Sequence, residues 1–374
     1  MIRRWPLIIS LVFMLPLLAH ARQWASEYEA KVGKETATEV EKRWKVVKDA
    51  PQQKELDEIA DVIAKLTDRP DVKYTVKIIE EKEVNAFSLP GGYVYMTTGL
   101  LKDAQSVHEL AGVLAHEITH NTYYDALDRA DQSKKLFMGS LATALGALLL
   151  GAKGDQLSAV LAAGEYIRLG VLSHYSMKVE TRADEGGVKY LLASKRYNPV
   201  GMLTFMERLA AQERHRPRVE MGVYADHPDT DVRVRHIIDL LEAAGVDINR
   251  RAVTKWDPPK VEEQEVDGRK LAVLSLWGVE IMRTDSAPEG QTAKQRLDAV
   301  AEKLRLALAD GIEDYQIVAD KNSVPLRIMA GRDELLAVTT QDAALAGLSE
   351  AELVAQIVNN VSAAMHKESL DRWW

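Results

Sequence analysis

His116-Glu117-Ile118-Thr119-His120 lies at the end of a stretch whose apolar residues, Leu110, Val113, Leu114 and Ile118, recur at helical spacing. On a helix, positions i and i+4 share one face a turn apart, so His116 and His120 present two imidazoles to one metal ion. Glu117, next to the first histidine, reaches a water on that metal without competing as a ligand. The pattern predicts a zinc-binding helix carrying one Zn2+ per chain, with Glu117 as a base.

A catalytic zinc takes three protein ligands and keeps one position open. Glu180-Thr181-Arg182-Ala183-Asp184 lies in a second helical stretch, Val179 to Leu192. Glu180 and Asp184 are again i and i+4 and face the same way. Glu180 is the candidate third ligand. Asp184 is placed to accept the N–H of one ligand histidine, which fixes that ring's tautomer and direction. Taken without the histidines, the same two acids would read as a solvated helix face.

Outward from this pair, Gln52 to Leu66 has helical spacing, and Tyr74 to Ile79 reads as a strand. Asn85 to Met96 holds two extended runs about the turn signal Leu89-Pro90-Gly91-Gly92. Leu100 to Asp128 reads as one helix containing the two histidines. Leu136 to Leu150 and Leu157 to Leu172 read as an apolar helical hairpin that is buried, or that touches a membrane or shields the active site. Pro199 to Gln212 and Asp231 to Ala244 are further helices. Thr254 to Asp267, with Pro258, Pro259 and a run of acids, reads as a linker. Beyond it, strands at Leu271–Leu276, Tyr315–Val318, Pro325–Ala330 and Glu334–Thr340 alternate with helices at Thr292–Ala309 and Ser349–Met365.

Four blocks carry a family resemblance: Asn85 to Met96, Glu109 to His120, Glu180 to Asp184, and His227-Pro228 with Arg233. Residues 52–245 thereby resemble the HtpX and BepA family of zinc metalloendopeptidases, relatives of the CaaX prenyl proteases and the mitochondrial Oma-type enzymes. The resemblance implies that His116, His120 and Glu180 bind zinc and that Glu117 is the catalytic base. It implies that His227 lies near the metal, either donating to the developing oxyanion or latching the fourth position. Arg233 either braces the site, for example by pairing with Asp184, or serves a structural surface role. Gly92, Tyr93, Val94, Tyr95 and Met96 are expected to form a sheet edge that holds an extended substrate by main-chain hydrogen bonds; the alternative is a plain buried hairpin. No repeat of 20 to 50 residues is evident in these 374 residues, so they are not expected to hold the helical-repeat tail of the BepA type. Residues 261–366 resemble instead a small domain found beside bacterial mechanosensitive-channel proteins.

The expected fold class is therefore α+β. A mainly helical zincin-type peptidase domain with a small sheet spans residues 22–253, a linker spans 254–267, and a small α+β domain spans 268–374. Residues 1–21 read as a signal peptide: Arg3 and Arg4, a short apolar run, then Ala19-His20-Ala21 as a cleavage site. An uncleaved anchor is the alternative. With no cysteine in 374 residues, disulfides and thiolate metal sites are excluded, and the expected compartment is a bacterial periplasm. A net charge of −8 argues against nucleic-acid binding. Expected partners are polypeptide substrates, an envelope protein docked through the C-terminal domain, and a membrane surface touched by residues 136–172. The competing functional reading is a latent or non-proteolytic envelope scaffold that retains the zinc.

Overall fold

The computed structural model describes residues 27–48, 51–125, 175–215, 230–266 and 268–373. They form helices and three small sheets in two compact units, Met1–Val246 and Asp247–Trp374, as an α+β chain should. The expected signal segment, the apolar pair 136–172, and His227 with Pro228 lie outside the described residues. Among the described residues, no helix is long and apolar enough to cross a membrane.

The first unit begins with helix α1 (residues 27–43), which buries Glu29, Gly33, Ala37 and Val40 along one stripe. Ala37 and Val40 pack with Ile79, Phe87, Leu89 and Tyr95, and Trp44 closes this cluster. Helix α2 (Gln53–Ala64) follows, burying Leu56, Ile59 and Ile63 at helical spacing. Strands β1 (Thr75–Ile79), β2 (Ala86–Leu89) and β3 (Tyr93–Thr97) form a sheet in the order β1-β3-β2.

That order overturns the expected substrate edge. β3 is the central strand, pairing in parallel with β1 and antiparallel with β2, so the main chain of Tyr93 to Met96 is committed on both sides. Gly92 precedes it in a buried turn and gives its N–H to the Asn121 side chain at 3.1 Å. The outer side of β1 is partly covered, since Val47 donates to Ile78 at 2.8 Å and Glu80 donates to Lys45 at 2.9 Å. β2 is the sheet's terminal strand, packed beside the helix that carries His116 and His120.

The single helix expected over Leu100 to Asp128 is divided. A short α3 (Thr98–Asp103) stops, and α4 (Val107–Thr122) starts afresh at Ser106. The Ser106 hydroxyl accepts the Glu109 N–H at 3.3 Å, while the Glu109 carboxylate accepts the Gln105 N–H at 2.7 Å. Together they satisfy donors that a helix start leaves open. α4 packs against α2, β2, α5 (Met177–Ser194) and α6 (Val200–His215). Glycines permit these close crossings: a Cβ on Gly112 would meet Met202 Cα at 2.6 Å, and one on Gly201 would meet the His108 carbonyl carbon at 2.4 Å. Buried Glu109 ties α6 to α4 through a two-pronged bond from Arg208, at 2.9 and 2.7 Å. Helix α7 (Thr230–Ala243) packs against α5 and α6.

The second unit corrects the linker. Residues 260–266 are strand β4 (Lys260–Val266), paired over its whole length with β5 (Arg269–Leu276). β4 buries almost nothing, so its sequence lacks the apolar alternation of a strand; it is a charged edge held by the ladder. Residues 247–253, expected in the first domain, belong to the second unit. There the Asn249 side chain donates to Ala309 O at 2.7 Å, and Arg251 pairs with Glu368 at 3.2 Å. β6 (Val279–Thr284) extends the meander after a tight turn, with Trp277 at φ 48° and Gly278 at φ 78°. Helix α8 (Ala293–Ala309), strands β7 (Ile317–Asp320), β8 (Arg327–Ala330) and β9 (Asp333–Ala337), and helices α9 (Thr340–Ala346) and α10 (Glu350–Trp373) complete it. Leu274, Leu276, Leu297, Leu304, Ile328 and Ile357 lie in its core.

Candidate metal centre

The two histidines of α4 and Glu180 of α5 meet where these helices cross. His116 Nε2 and His120 Nε2 lie 3.1 Å apart, His116 Nε2 lies 3.4 Å from Glu180 Oε2, and His120 Nε2 lies 3.6 Å from Glu180 Oε1. All three side chains are buried. A tetrahedral shell with ligand distances of about 2.0–2.1 Å has edges of about 3.3–3.4 Å, so this donor triangle fits zinc. Two imidazoles and a carboxylate are also a donor set that zinc accepts. Among the described residues it is the only cluster of three such donors.

Asp184, one turn beyond Glu180, lies 3.0 Å from His116 Nδ1, which turns the Nε2 of that ring toward the triangle. Arg233 of α7 grips Asp184 with a fork, Nε to Oδ2 at 2.9 Å and Nη2 to Oδ1 at 2.7 Å. Its Nη1 lies 2.8 Å from Glu180 Oε2. Arg233 is thus a buried cation between two buried acids, which favours bracing over a surface role. Burial acts to lower its pKa, and the charges of Asp184, Glu180 and Glu117 outweigh burial and raise it. Glu117 is itself 2% exposed and lies close enough for Arg233 to feel its charge.

Burial works to raise the Asp184 pKa, but the charge and hydrogen bonds of Arg233 and His116 prevail and hold it below the ordinary carboxylate value. At His116, burial and the Arg233 charge act downward. Hydrogen bonds to Asp184 and Glu180 outweigh them and raise the pKa to about 9.

His120 has its own carboxylate, which the sequence reading missed. Asp125 Oδ2 lies 3.1 Å from His120 Nδ1. Arg182 pairs with the other Asp125 oxygen, and Tyr175 stacks on the His120 ring at 4.0 Å between centroids. Asp125 is five residues beyond His120, a spacing that a continuous helix would put on a different face. Only the end of α4 at Thr122 brings it back, so periodicity gave no signal for it.

Residues 50–240 match peptidase family M48. The chain belongs to peptidase family M48. This M48 chain is similar to the mitochondrial metalloendopeptidase OMA1 of Schizosaccharomyces pombe, 31% identical over 176 residues, which cover 47% of this chain and 49% of that one. It is similar to the beta-barrel assembly-enhancing protease of Yersinia pestis, 26% identical over 249 residues, 64% of this chain and 46% of that one. The same protease of Escherichia coli K12 is 30% identical over 143 residues, 38% of this chain and 29% of that one. The chain thus spans about half or less of the length of the curated relatives it matches. Every described site residue of this M48 chain lies within the matched span, and residues 273–368 separately match a domain of unknown function, DUF8459.

Proposed function

We propose that this chain is a zinc-dependent endopeptidase of the bacterial periplasm that hydrolyses peptide bonds in misfolded or envelope proteins. The observation that carries the reading is the convergence of His116, His120 and Glu180 beside the buried carboxylate of Glu117. Zinc held there supplies Lewis acidity, bringing the pKa of water to about 7 and polarising a carbonyl. Glu117 takes the proton of the attacking water on its carboxylate and passes it to the leaving amine nitrogen. Asp184 holds the His116 ring by its Nδ1, and Arg233 holds Asp184. The relatives' names support an envelope setting, and the signal-like N-terminus supports export.

His227 either donates to the developing oxyanion, a contribution of roughly 2.7–4 kcal/mol for such donors, or latches the site. His227→Ala separates these: lost cleavage supports the donor, and increased cleavage supports the latch. The C-terminal unit is proposed to dock an envelope protein. Residues 136–172 are proposed to touch a membrane; lipid flotation unchanged by their deletion would remove that idea.

The test is zinc content and casein cleavage for the parent and Glu117→Gln. Both binding one zinc while only the parent cleaves is the expected outcome. Zinc in both with cleavage by neither would favour the latent or scaffold reading. Zinc in neither would refute the ligand assignment.

A further inference from the structure

The two ligand histidines are held differently. His116 is held by Asp184 from the neighbouring helix α5, and Arg233 of α7 grips that acid. His120 is held by an acid from its own helix's exit. α4 ends at Thr122, and Tyr124 takes a left-handed φ of 61°, rare for a bulky residue. This turn swings Asp125 back so that Oδ2 lies 3.1 Å from His120 Nδ1. Asp125 is buried.

Several contacts fix that turn. Tyr123 N donates to Thr119 O and Tyr124 N donates to Asn121 O, both at 3.1 Å. Arg69 donates to Asn121 O at 2.9 Å, and its guanidinium lies 4.0 Å from the Tyr124 ring centroid. Arg182, one turn before the α5 glycines, pairs with Asp125 Oδ1 and lies 4.6 Å from the centroid of the Tyr123 ring. A residue in a strained conformation persists where its surroundings over-determine it, and such residues gather at functional sites. Here the strained turn puts a carboxylate behind the second histidine.

We infer that Asp125 is the positioning residue for His120, and that Arg182 positions Asp125. Asp125 accepts the His120 Nδ1–H, which fixes the tautomer that offers Nε2 to the metal. Tyr175, stacked on the ring with 12° between planes, sets its tilt. Each ligand histidine is then the head of a His–Asp–Arg chain: His116–Asp184–Arg233 and His120–Asp125–Arg182. The inference rests on the zinc reading above, but concerns a residue that the catalytic motif does not contain.

The experiment measures zinc affinity by competition with a chromophoric chelator for the full chain and for Asp125→Ala, Asp125→Asn and Arg182→Ala. Beside it, histidine side-chain 1H–15N spectra are recorded on the zinc-loaded proteins. Loss of such an outer partner typically weakens metal binding about 10–100-fold. That loss is expected for Asp125→Ala. A smaller one is expected for Asp125→Asn, which keeps an acceptor oxygen, and for Arg182→Ala. The hydrogen-bonded Nδ1–H resonance of His120 should vanish in Asp125→Ala, while that of His116 remains. Unchanged affinity in both Asp125 variants would overturn the inference, as would weaker binding with both resonances in place. If Asp125→Ala does not fold, Asp125→Asn and Arg182→Ala carry the test. A parent that binds no zinc would instead refute the metal reading itself.

Discussion

Gly186 of α5 lies so close to Thr119 of α4 that a Cβ on the glycine would sit 2.3 Å from the threonine Cγ2. Thr119 has nowhere to go: it is fully buried and its hydroxyl is bonded to Ala115 O at 2.7 Å. This contact falls one residue before His120 and two after Asp184, so it sets the separation of the two helices that supply the metal ligands. Gly186→Ala should push them apart. Overpacking of this kind costs about 1–3 kcal/mol, and the ligand triangle should widen with it. Denaturant unfolding and zinc affinity should both fall. Unchanged zinc affinity in a destabilised variant would show that the triangle does not depend on this crossing.

Arg233 is the second control point. It is buried, forked onto Asp184 and paired with Glu180. Arg233→Ala leaves two buried acids without their shared cation, and breaking such a group typically costs about 3–5 kcal/mol. Arg233→Lys should not restore it, because an ammonium lacks the planar fork that meets both Asp184 oxygens. Chemical denaturation of both variants checks this; full rescue by lysine would show that charge alone suffices.

Asn121 fastens the residue after His120 to the hairpin turn. Its amide donates to Leu89 O at 2.7 Å, and its Oδ1 accepts the Gly92 N–H at 3.1 Å. Asn121→Ala strips two buried backbone groups of this partner, at a cost of roughly 1–3 kcal/mol for each group left unsatisfied. Asn121→Asp should also destabilise, since a carboxylate has no N–H for Leu89 O. Thermal unfolding of both variants tests the assignment, and an aspartate variant as stable as the parent would contradict it.

How far the sequence discloses this site follows from which periodicity each residue obeys. His116 with His120, and Glu180 with Asp184, share helix faces, and helical spacing finds such pairs directly. Arg233 lies on another helix and becomes part of the site only through packing; a resemblance pointed to it, and no spacing did. Asp125 is reached through a break in helical phase at Tyr124. The substrate-edge expectation failed because strand order is not written in a strand: Tyr93 to Met96 read alike whether central or peripheral, and β1 happens to pair outside them. β4 was missed for the opposite reason, since an edge strand exposed on both faces carries no apolar signature. The apolar spacing of α2 and of α4 is legible in the sequence, and the structure buries Leu56, Ile59 and Ile63 on the one and Leu110, Leu114 and Ile118 on the other.

The second unit should respond to acid through one buried pair. Asp342 accepts Arg296 Nη1 at 2.9 Å and Nη2 at 2.7 Å, the Thr284 hydroxyl at 2.6 Å, and the Thr339 N–H at 2.9 Å. Burial works to raise its pKa, and the hydrogen bonds with the Arg296 charge prevail, so the pKa lies below its ordinary 3.8. A group lowered on folding contributes stability above its unfolded pKa and loses it as pH falls through the folded value. The contribution is thus complete above about pH 5 and shrinks as pH falls below about 4. Hydrogen-exchange mass spectrometry on the full chain should show the β5 strand well protected from pH 7 down to about pH 5 and opening more readily below it. Asp342→Asn should begin roughly 1–3 kcal/mol lower at neutral pH and show a shallower acid slope, since its side chain has no proton to gain. Parallel slopes in the two proteins would mean that some other carboxylate governs acid opening of this unit.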